Sequence, residues 1–308
     1  MARCARAAVL PAFLIGAALP TYADCPVPDK LEDKIAKAGS LSVETHSLSN
    51  MECAATLALA AAEAAPENLE VQGLALGITA QAMDLMGSIK REDLMGTDTH
   101  LIGRINTLAG RALVVADNSL AKAPGSPDFK LLKALVVVIA APWGEVEQSV
   151  ESTRQAMALL EEVITAAPDT MGGLAQTVLG RIYFELPPIL GGDVLKSISL
   201  LEDALERNPH NIQTLRYLAE SYDQEMEEAK AVETLTAMMA IEPGPGEYQL
   251  VADELRLGRG LAGRLHAAGL VKKLEEKRQA LLKAHPELMT RQSMAIGGHG
   301  GDHPLKEN

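Results

Sequence analysis

Aromatic side chains are scarce in this 308-residue sequence, which contains one tryptophan, three phenylalanines and five tyrosines. β-Sandwiches and barrels rely on aromatic and β-branched side chains, whereas closely packed helices use small ones. Hydrophobic residues nevertheless make up 47% of the chain, and alanine and leucine recur along its length. The composition therefore favours an all-α fold in which helices pack at small-residue contacts.

Basic residues are outnumbered, with 28 lysines and arginines against 41 aspartates and glutamates and a formal net charge of −13. A surface of this sign repels phosphate backbones, and the sequence contains no basic patch with interleaved aromatic residues. Nucleic acid is therefore not expected as a partner.

Motifs for common catalytic chemistry are also missing. The sequence has no His-Glu-x-x-His zinc motif, no Gly-Lys-Ser/Thr phosphate loop and no Gly-x-Ser-x-Gly nucleophile elbow. The segment HGGDH at 299–303 has the residue types of a weak transition-metal site, but its glycines favour a flexible linker. We therefore predict a protein that is not an enzyme and has no cofactor and no metal site.

Only one long apolar run is present, and it lies at the N-terminus. Two arginines precede an apolar segment from Ala7 to Leu19, and Thr21 and Ala23 follow in the spacing of a signal-peptidase site. This pattern is typical of a secretory signal peptide, and the run is too short for a stable membrane-spanning helix. We therefore predict that residues 1–23 are removed and that the mature protein is periplasmic.

Cysteine is rare, with three in the chain. Cys4 belongs to the predicted signal peptide, so an exported protein retains Cys25 and Cys53 as an even pair. A disulfide between them is the default expectation, and two free thiols are the alternative. Tyr22 and Asp24 stand where a lipoprotein signal has a Leu-like residue and a small residue, so no lipid anchor on Cys25 is expected.

Five segments share one internal spacing that ends in a proline. The closing prolines are Pro66, Pro124, Pro168, Pro209 and Pro243. Twelve residues before each stands a small residue and eight before stands an apolar one, in the pairs Ala54 and Ala58, Ala112 and Ala116, Ala156 and Leu160, Ser197 and Leu201, and Ala231 and Leu235. A small residue allows close approach of a neighbouring helix, and proline stops the helix. This spacing matches the second helix of a tetratricopeptide repeat, and residues 212–243 match a complete repeat.

The sequence thus predicts an all-α, tetratricopeptide-like helical-hairpin solenoid of about five repeats over residues 24–285. Residues 286–308 lose the helical pattern and are predicted to be a disordered tail containing glycine and histidine. Helices are predicted over 49–65, 67–88, 101–123, 127–141, 145–167, 172–186, 193–208, 211–223, 227–242, 246–266 and 268–284.

Two hairpin turns are more elaborate than the repeat requires. ELPPILGGDVLKS at 185–197 ends one helix with two prolines, reverses at two glycines and restarts at an aspartate. APWG at 141–144 interrupts the preceding hairpin. We expect both turns on the same edge of the stack, where they are either simple long turns or a rim that binds a ligand or partner.

Two groups of residues are candidates for binding. Apolar residues at the elaborate turns are predicted to converge into one patch, with packing alone as the alternative; these are Pro142, Trp143, Tyr183, Phe184, Ile189 and Leu190. Polar residues on first helices are expected to line the concave face of the stack; these are Arg181, Arg216 and Glu220.

The segment GGLAQTVLGRIYFELPPILGGDVLKSISLLEDALERNP at 172–209 resembles the signature of the TRAP transporter T-component family. VADELRLGRGLAGRL at 251–265 is similar to that family's closing helix, and the resemblance covers about residues 49–266. Ser197 and Leu201 differ from the alanine and phenylalanine that the family favours.

The resemblance implies a periplasmic accessory protein that works beside the solute-binding protein of a TRAP uptake system and binds a small apolar or carboxylate-bearing ligand. The alternative is a generic tetratricopeptide-repeat scaffold for protein–protein interaction in the cell envelope. A homo-oligomer is compatible with both interpretations.

Overall fold

The computed structural model describes residues 25–44, 48–92, 99–144, 146–244, 246–286 and 288, and these residues form helices and turns without any strand. The predicted signal peptide lies outside the described residues, as does nearly all of the predicted tail with its HGGDH segment. The described helices are α1 Leu31–Glu44, α2 Leu48–Ala64, α3 Leu69–Glu92, α4 Thr99–Lys122, α5 Pro127–Ala140, α6 Val146–Ala166, α7 Leu174–Glu185, α8 Val194–Arg207, α9 Ile212–Gln224, α10 Glu228–Ala237, α11 Tyr248–Arg264 and α12 Ala268–Ala284.

Consecutive helices pair into six hairpins that stack in chain order. The first helix of one hairpin contacts the first helix of the next at four places, where α1 meets α3, α3 meets α5, α7 meets α9, and α9 meets α11. The odd-numbered helices therefore form an inner row, and the even-numbered helices form an outer row, in which α2 contacts α4. This is the arrangement of a helical-hairpin solenoid.

The proline-ended spacing has a clear structural counterpart. The five small residues and the five apolar residues of this spacing are all buried, and none is more than 2% exposed. The prolines follow directly on the ends of α2, α4, α6, α8 and the short 3₁₀ turn Met238–Ala240 that extends α10. The predicted tetratricopeptide-like fold is therefore confirmed.

The structure differs from the sequence prediction at the N-terminus. Eleven of the twelve described helices were predicted, with ends correct to about one helical turn, but α1 was not. The spacing that identifies these hairpins ends in the proline that closes each second helix, and α1 is a first helix with no such proline. The described stack therefore has six hairpins instead of about five.

The apolar core is divided along the stack. One cluster runs through α1 to α5, a second joins α5 to α7, a third joins α8 to α10, and a fourth joins α9 to α12. Two buried hydroxyl pairs lie between the α7–α8 hairpin and α9: Thr177 with Thr214 at 2.8 Å, and Ser197 with Ser221 at 3.0 Å. Each hydroxyl satisfies the other, as burial requires.

A disulfide joins Cys25 to Cys53. This bond was the default prediction from the sequence, with two free thiols as the alternative. The Cα atoms are 5.5 Å apart, and Cys25 packs against the first core cluster. The bond ties the segment before α1 to the middle of α2, so that α1 lies inside the covalent loop.

Replacement of Gly180 by alanine tests the close helix contact. An added Cβ would lie 2.9 Å from Leu201 Cγ and 3.2 Å from the Ser197 carbonyl oxygen. We expect Gly180→Ala to lower the free energy of unfolding by about 1–3 kcal/mol because this contact cannot widen freely. Urea denaturation measures the change.

Gly110→Ala on α4 is the matched control, since nothing lies within 4 Å of its added Cβ. That variant should be more stable than the wild type by about 0.5–1 kcal/mol, because alanine loses less backbone entropy on folding. Similar effects of the two substitutions would contradict the described helix packing.

Removal of the disulfide tests the covalent loop. Cys25→Ser leaves the buried Cys53 in place and opens a loop of 28 residues, which by chain entropy lowers local stability by about 3–4 kcal/mol. Hydrogen exchange should accelerate in α1 and α2, with α9 to α12 as the internal reference. Unchanged exchange in α1 would show that the bond has no role in holding it.

Candidate functional site

The elaborate turn between α7 and α8 is built by backbone geometry. Leu186 and Pro187 are extended, and a single 3₁₀ turn spans Pro188–Leu190. The Asp193 amide donates to the Tyr183 carbonyl at 2.9 Å, and the Asp193 side chain accepts from the Lys196 amide at 3.1 Å. The aspartate therefore caps α8 and ties the turn back to the end of α7.

Both glycines of this turn are required by its shape. Gly191 has a φ of +100°, a region that residues with a Cβ rarely occupy. A Cβ on Gly192 would lie 1.7 Å from the Leu186 carbonyl oxygen, where no atom fits. The segment that resembles the TRAP family signature contains the Pro-Pro and Gly-Gly-Asp of this turn. The shape of the turn is enough to explain why these residues are present.

The apolar residues at the tip of this turn face solvent. Ile189 is 91% exposed and Leu190 is 37% exposed. Leu195, in the first turn of α8, is also exposed. The fold itself therefore leaves these side chains uncovered.

Trp143 lies at the turn between α5 and α6 and faces the interior. An added Cβ on Gly87 of α3 would lie 3.3 Å from Trp143 Cζ2, and the ring packs against the first core cluster. Its Nε1 is buried and has no hydrogen-bond partner among the described residues. Pro142, beside it, is exposed.

Tyr183 and Phe184, in the last turn of α7, point to different surroundings. Tyr183 packs against the second core cluster, and its hydroxyl donates to Glu161 at 3.4 Å. Burial, together with the charge of Glu161, raises the pKa of Tyr183. Phe184 instead contacts a cation, because the Arg181 guanidinium carbon lies 4.9 Å from its ring centroid.

The six turn residues of the predicted patch therefore occupy several environments. The structure places Trp143 and Tyr183 against separate core clusters, Phe184 beside Arg181, and Pro142, Ile189 and Leu190 at the surface. Their role in binding stays a prediction.

The inner row carries a network of charged side chains, called here the groove network: Arg181, Glu185, Arg216, Glu220 and Glu254. Arg181 on α7 is bonded to Glu185 and to Glu220 on α9. Arg216 donates to Glu220 at 2.7 Å and is also bonded to Glu254 on α11. The network thus links three successive inner helices.

Aromatic rings lie against both arginines of the groove network. The guanidinium carbons of Arg181 and Arg216 lie 4.5 and 4.4 Å from the Tyr217 ring centroid. Arg181 therefore contacts two rings, those of Phe184 and Tyr217, and each such contact contributes about 0.5–2 kcal/mol depending on its exposure.

The deepest charges of the network perturb one another. Arg216 and Glu254 are only 6% and 4% exposed. Burial alone would lower the pKa of Arg216, but the carboxylates of Glu254 and Glu220 raise it overall. Burial raises the pKa of Glu254, and the charge of Arg216 opposes that shift. Burial also raises the pKa of Tyr217 to about 12, so its phenol stays protonated at neutral pH.

The groove network lies on the first helices of its hairpins, α7, α9 and α11. In a stack of helical hairpins the first helices line the concave face. We call this concave face, with the groove network on it, the inner groove.

Sequence reasoning selected part of this site. Arg181, Arg216 and Glu220 were chosen because they lie on first helices, and the structure brings all three together. Glu185, Glu254 and Tyr217 were not predicted. The spacing of 181 with 185, which places an arginine and a glutamate one turn apart, was an available signal for Glu185.

Other kinds of site are not found in the part of the chain that the structure describes. No three histidine, cysteine, aspartate or glutamate side chains come together there as a metal site. No helix in these ranges is both long and apolar enough to cross a membrane.

Comparisons with known proteins give fold-level similarities. No protein-family model and no curated protein sequence matches the chain, so the TRAP family resemblance stays a hypothesis. A thermophilic tetratricopeptide-repeat protein from Thermus thermophilus is 15% identical over 78% of this chain and 100% of its own, with a TM-score of 0.49.

Two further solved structures are similar at lower scores. MamA is 20% identical over 61% of this chain and 98% of its own, with a TM-score of 0.39. A tetratricopeptide-repeat protein from Parabacteroides merdae is 13% identical over 80% of this chain and 98% of its own, with a TM-score of 0.33. The fold assignment rests on the chain's own hairpins and buried spacing residues.

Arg216→Met tests the groove network. The substitution keeps a long side chain but leaves Glu254 buried without its cation, which lowers the free energy of unfolding by about 3–5 kcal/mol. Arg154→Met on α6 is the control, because Arg154 is 62% exposed and 3.9 Å from Glu151. We expect the control to change stability by less than about 1 kcal/mol. Equal losses in urea denaturation would contradict the burial of the network.

Proposed function

We propose that the protein is a non-enzymatic scaffold that binds a segment of a partner protein in the inner groove. The groove network is the observation that supports this function. It combines buried charges with groups that solvent can reach, since Glu185 is 59% exposed and Arg181 is half-buried. A partner segment can therefore contact the network without unfolding any helix.

The energetics of the network favour recognition over stability. Replacing a buried ion pair by apolar residues of similar volume is often neutral or stabilising, so such a pair is weak support for a purely structural role. Charged groups held in fixed positions instead give specificity for a complementary surface. Arg181, Arg216 and Glu254 are held by contacts within and between helices before any partner arrives.

The solenoid suits this function because its inner helices present an extended surface. Stacked hairpins form concave faces that bind elongated partners. The inner helices α7, α9 and α11 contact one another in sequence and carry the network across the groove floor. The segment that fits such a surface is an extended or helical stretch of protein.

A second candidate function follows from the α7–α8 turn. Ile189 and Leu190 are branched apolar residues that are unfavourable in water unless a partner covers them. The TRAP family resemblance names such a partner, the periplasmic solute-binding protein of an uptake system, together with a small apolar or carboxylate-bearing ligand. In this interpretation, the predicted signal peptide delivers the protein to the periplasm, and the exposed turn contacts the transporter component.

Site-specific photo-crosslinking in the native cells distinguishes the two candidates. Benzoylphenylalanine replaces Phe184 in the inner groove, Ile189 at the exposed turn, or Glu206 on the outer helix α8. A groove scaffold should give one discrete adduct from position 184 and none from position 206, because only the former faces the groove.

The adduct is identified by mass spectrometry, and the purified partner must then bind the wild type more tightly than the Phe184→Ala variant, with Glu206→Ala as control. A TRAP solute-binding protein captured from position 189 would favour the second candidate. Adducts that are equal at all three positions, or absent at all three, would contradict both.

A further inference from the structure

A cleft lies between the last two described helices, α11 and α12. Its volume is about 430 Å³, and residues of these two helices alone line it: Arg259, Val271, Lys272, Glu275, Glu276 and Gln279. Val271 is half-buried, so an apolar side chain in this lining keeps contact with solvent. The last hairpin therefore has a concave surface that the described part of the chain leaves uncovered.

Inside the stack, the corresponding surface of an earlier hairpin is covered by the next first helix. The first helices α3, α5, α9 and α11 each contact both helices of the hairpin before them. The cleft between α11 and α12 is therefore the position that a further first helix would take. The described residues contain no helix after α12 that could take it.

The first helix α1 has the opposite deficit, because no described hairpin precedes it. One side of α1 packs against the first core cluster through Leu31, Ile35 and Ala38. The other side is exposed, at Glu32, Asp33, Ala36 and Ser40. These four residues recur at the spacing of one helix face, and the two small ones would allow close approach of another helix.

The two uncovered surfaces differ in charge. The last hairpin, residues 246–284, contains eight lysines and arginines against five aspartates and glutamates, in a chain whose net charge is −13. Glu32 and Asp33 are exposed in the first turn of α1. The lysines of α1 are engaged elsewhere, since Lys34 and Lys37 donate to backbone carbonyls of the segment before the helix at 3.2 and 3.4 Å. An acidic helix face therefore matches a basic hairpin.

We propose that α1 of a second copy of this chain occupies the cleft between α11 and α12, so that copies associate head to tail. The contact joins two different surfaces, and such a heterologous contact builds open chains of molecules unless a ring closes. The inner row then continues from α11 of one copy to α1 of the next, which lengthens the inner groove. This association goes beyond the proposed scaffold function and does not depend on it.

Sedimentation velocity of the full chain tests the association over about 1–300 µM protein. The buffer contains about 0.15 M salt, which screens repulsion between the acidic chains beyond about 8 Å. We expect the weight-average mass to rise with concentration above that of the monomer.

Two variants at exposed positions block one surface each. Ala36→Arg places a long basic side chain on the exposed side of α1, and Lys272→Glu places an acidic one at the cleft. Each should lower the association constant at least about tenfold. Lys196→Glu on α8 is the control, because it makes the same charge change at a residue that is 62% exposed and lies in neither surface. We expect less than a twofold effect from it, and circular dichroism checks that all three variants keep their helices.

Mixing the two blocked variants distinguishes a head-to-tail contact from a symmetric one. The Ala36→Arg variant keeps an intact cleft, and the Lys272→Glu variant keeps an intact α1. An equimolar mixture should therefore regain association but stop at a dimer, because each dimer retains only its two blocked surfaces.

Four results would each overturn the inference: a monomer throughout the concentration range, association that either blocked variant leaves unchanged, an equal effect of Lys196→Glu, or a mixture that associates no more than its separate components. The scaffold function is tested separately, by the adduct from position 184, and would survive all four.

Discussion

The distance of approach between neighbouring helices is the constraint on which the rest of the structure depends. The small residues Ala54, Ala112, Ala156, Ser197 and Ala231 are all fully buried. At Gly180 even one added carbon would crowd Leu201. The same closeness brings α7, α9 and α11 near enough for single side chains to bridge them, so the groove network is a product of the packing beneath it.

Much of the fold could be predicted because its signal is local. A small residue, an apolar residue and a proline at constant spacing identify a second helix wherever they occur, and five segments repeat them. The helix α1 has none of these marks, and its place in the stack depends on packing against α2 and on the bond to Cys53. Only contacts that are distant in sequence reveal it.

The site was predicted less completely for the same reason. The register of the first helices identifies Arg181 and Arg216 as inner-row residues, but no local pattern pairs Arg216 with Glu254, 38 positions later. Trp143 shows a second limit, because its position in a Pro-Gly turn left both a binding patch and packing alone open. The structure packs it against Gly87 of a different hairpin. The way in which hairpins stack determines which side chains pair between them, and a single sequence does not reveal that stacking.

The disulfide at the start of the stack changes how the first helix can unfold locally. Terminal repeats touch a neighbour on one side only, so the outermost helix is normally the first to detach. Here α1 lies within the ring closed by Cys25 and Cys53. If α1 melts, both of its ends stay tethered beside α2, and redocking requires little further loss of chain entropy. The first hairpin therefore re-forms readily after local unfolding, wherever the surroundings keep the disulfide oxidised.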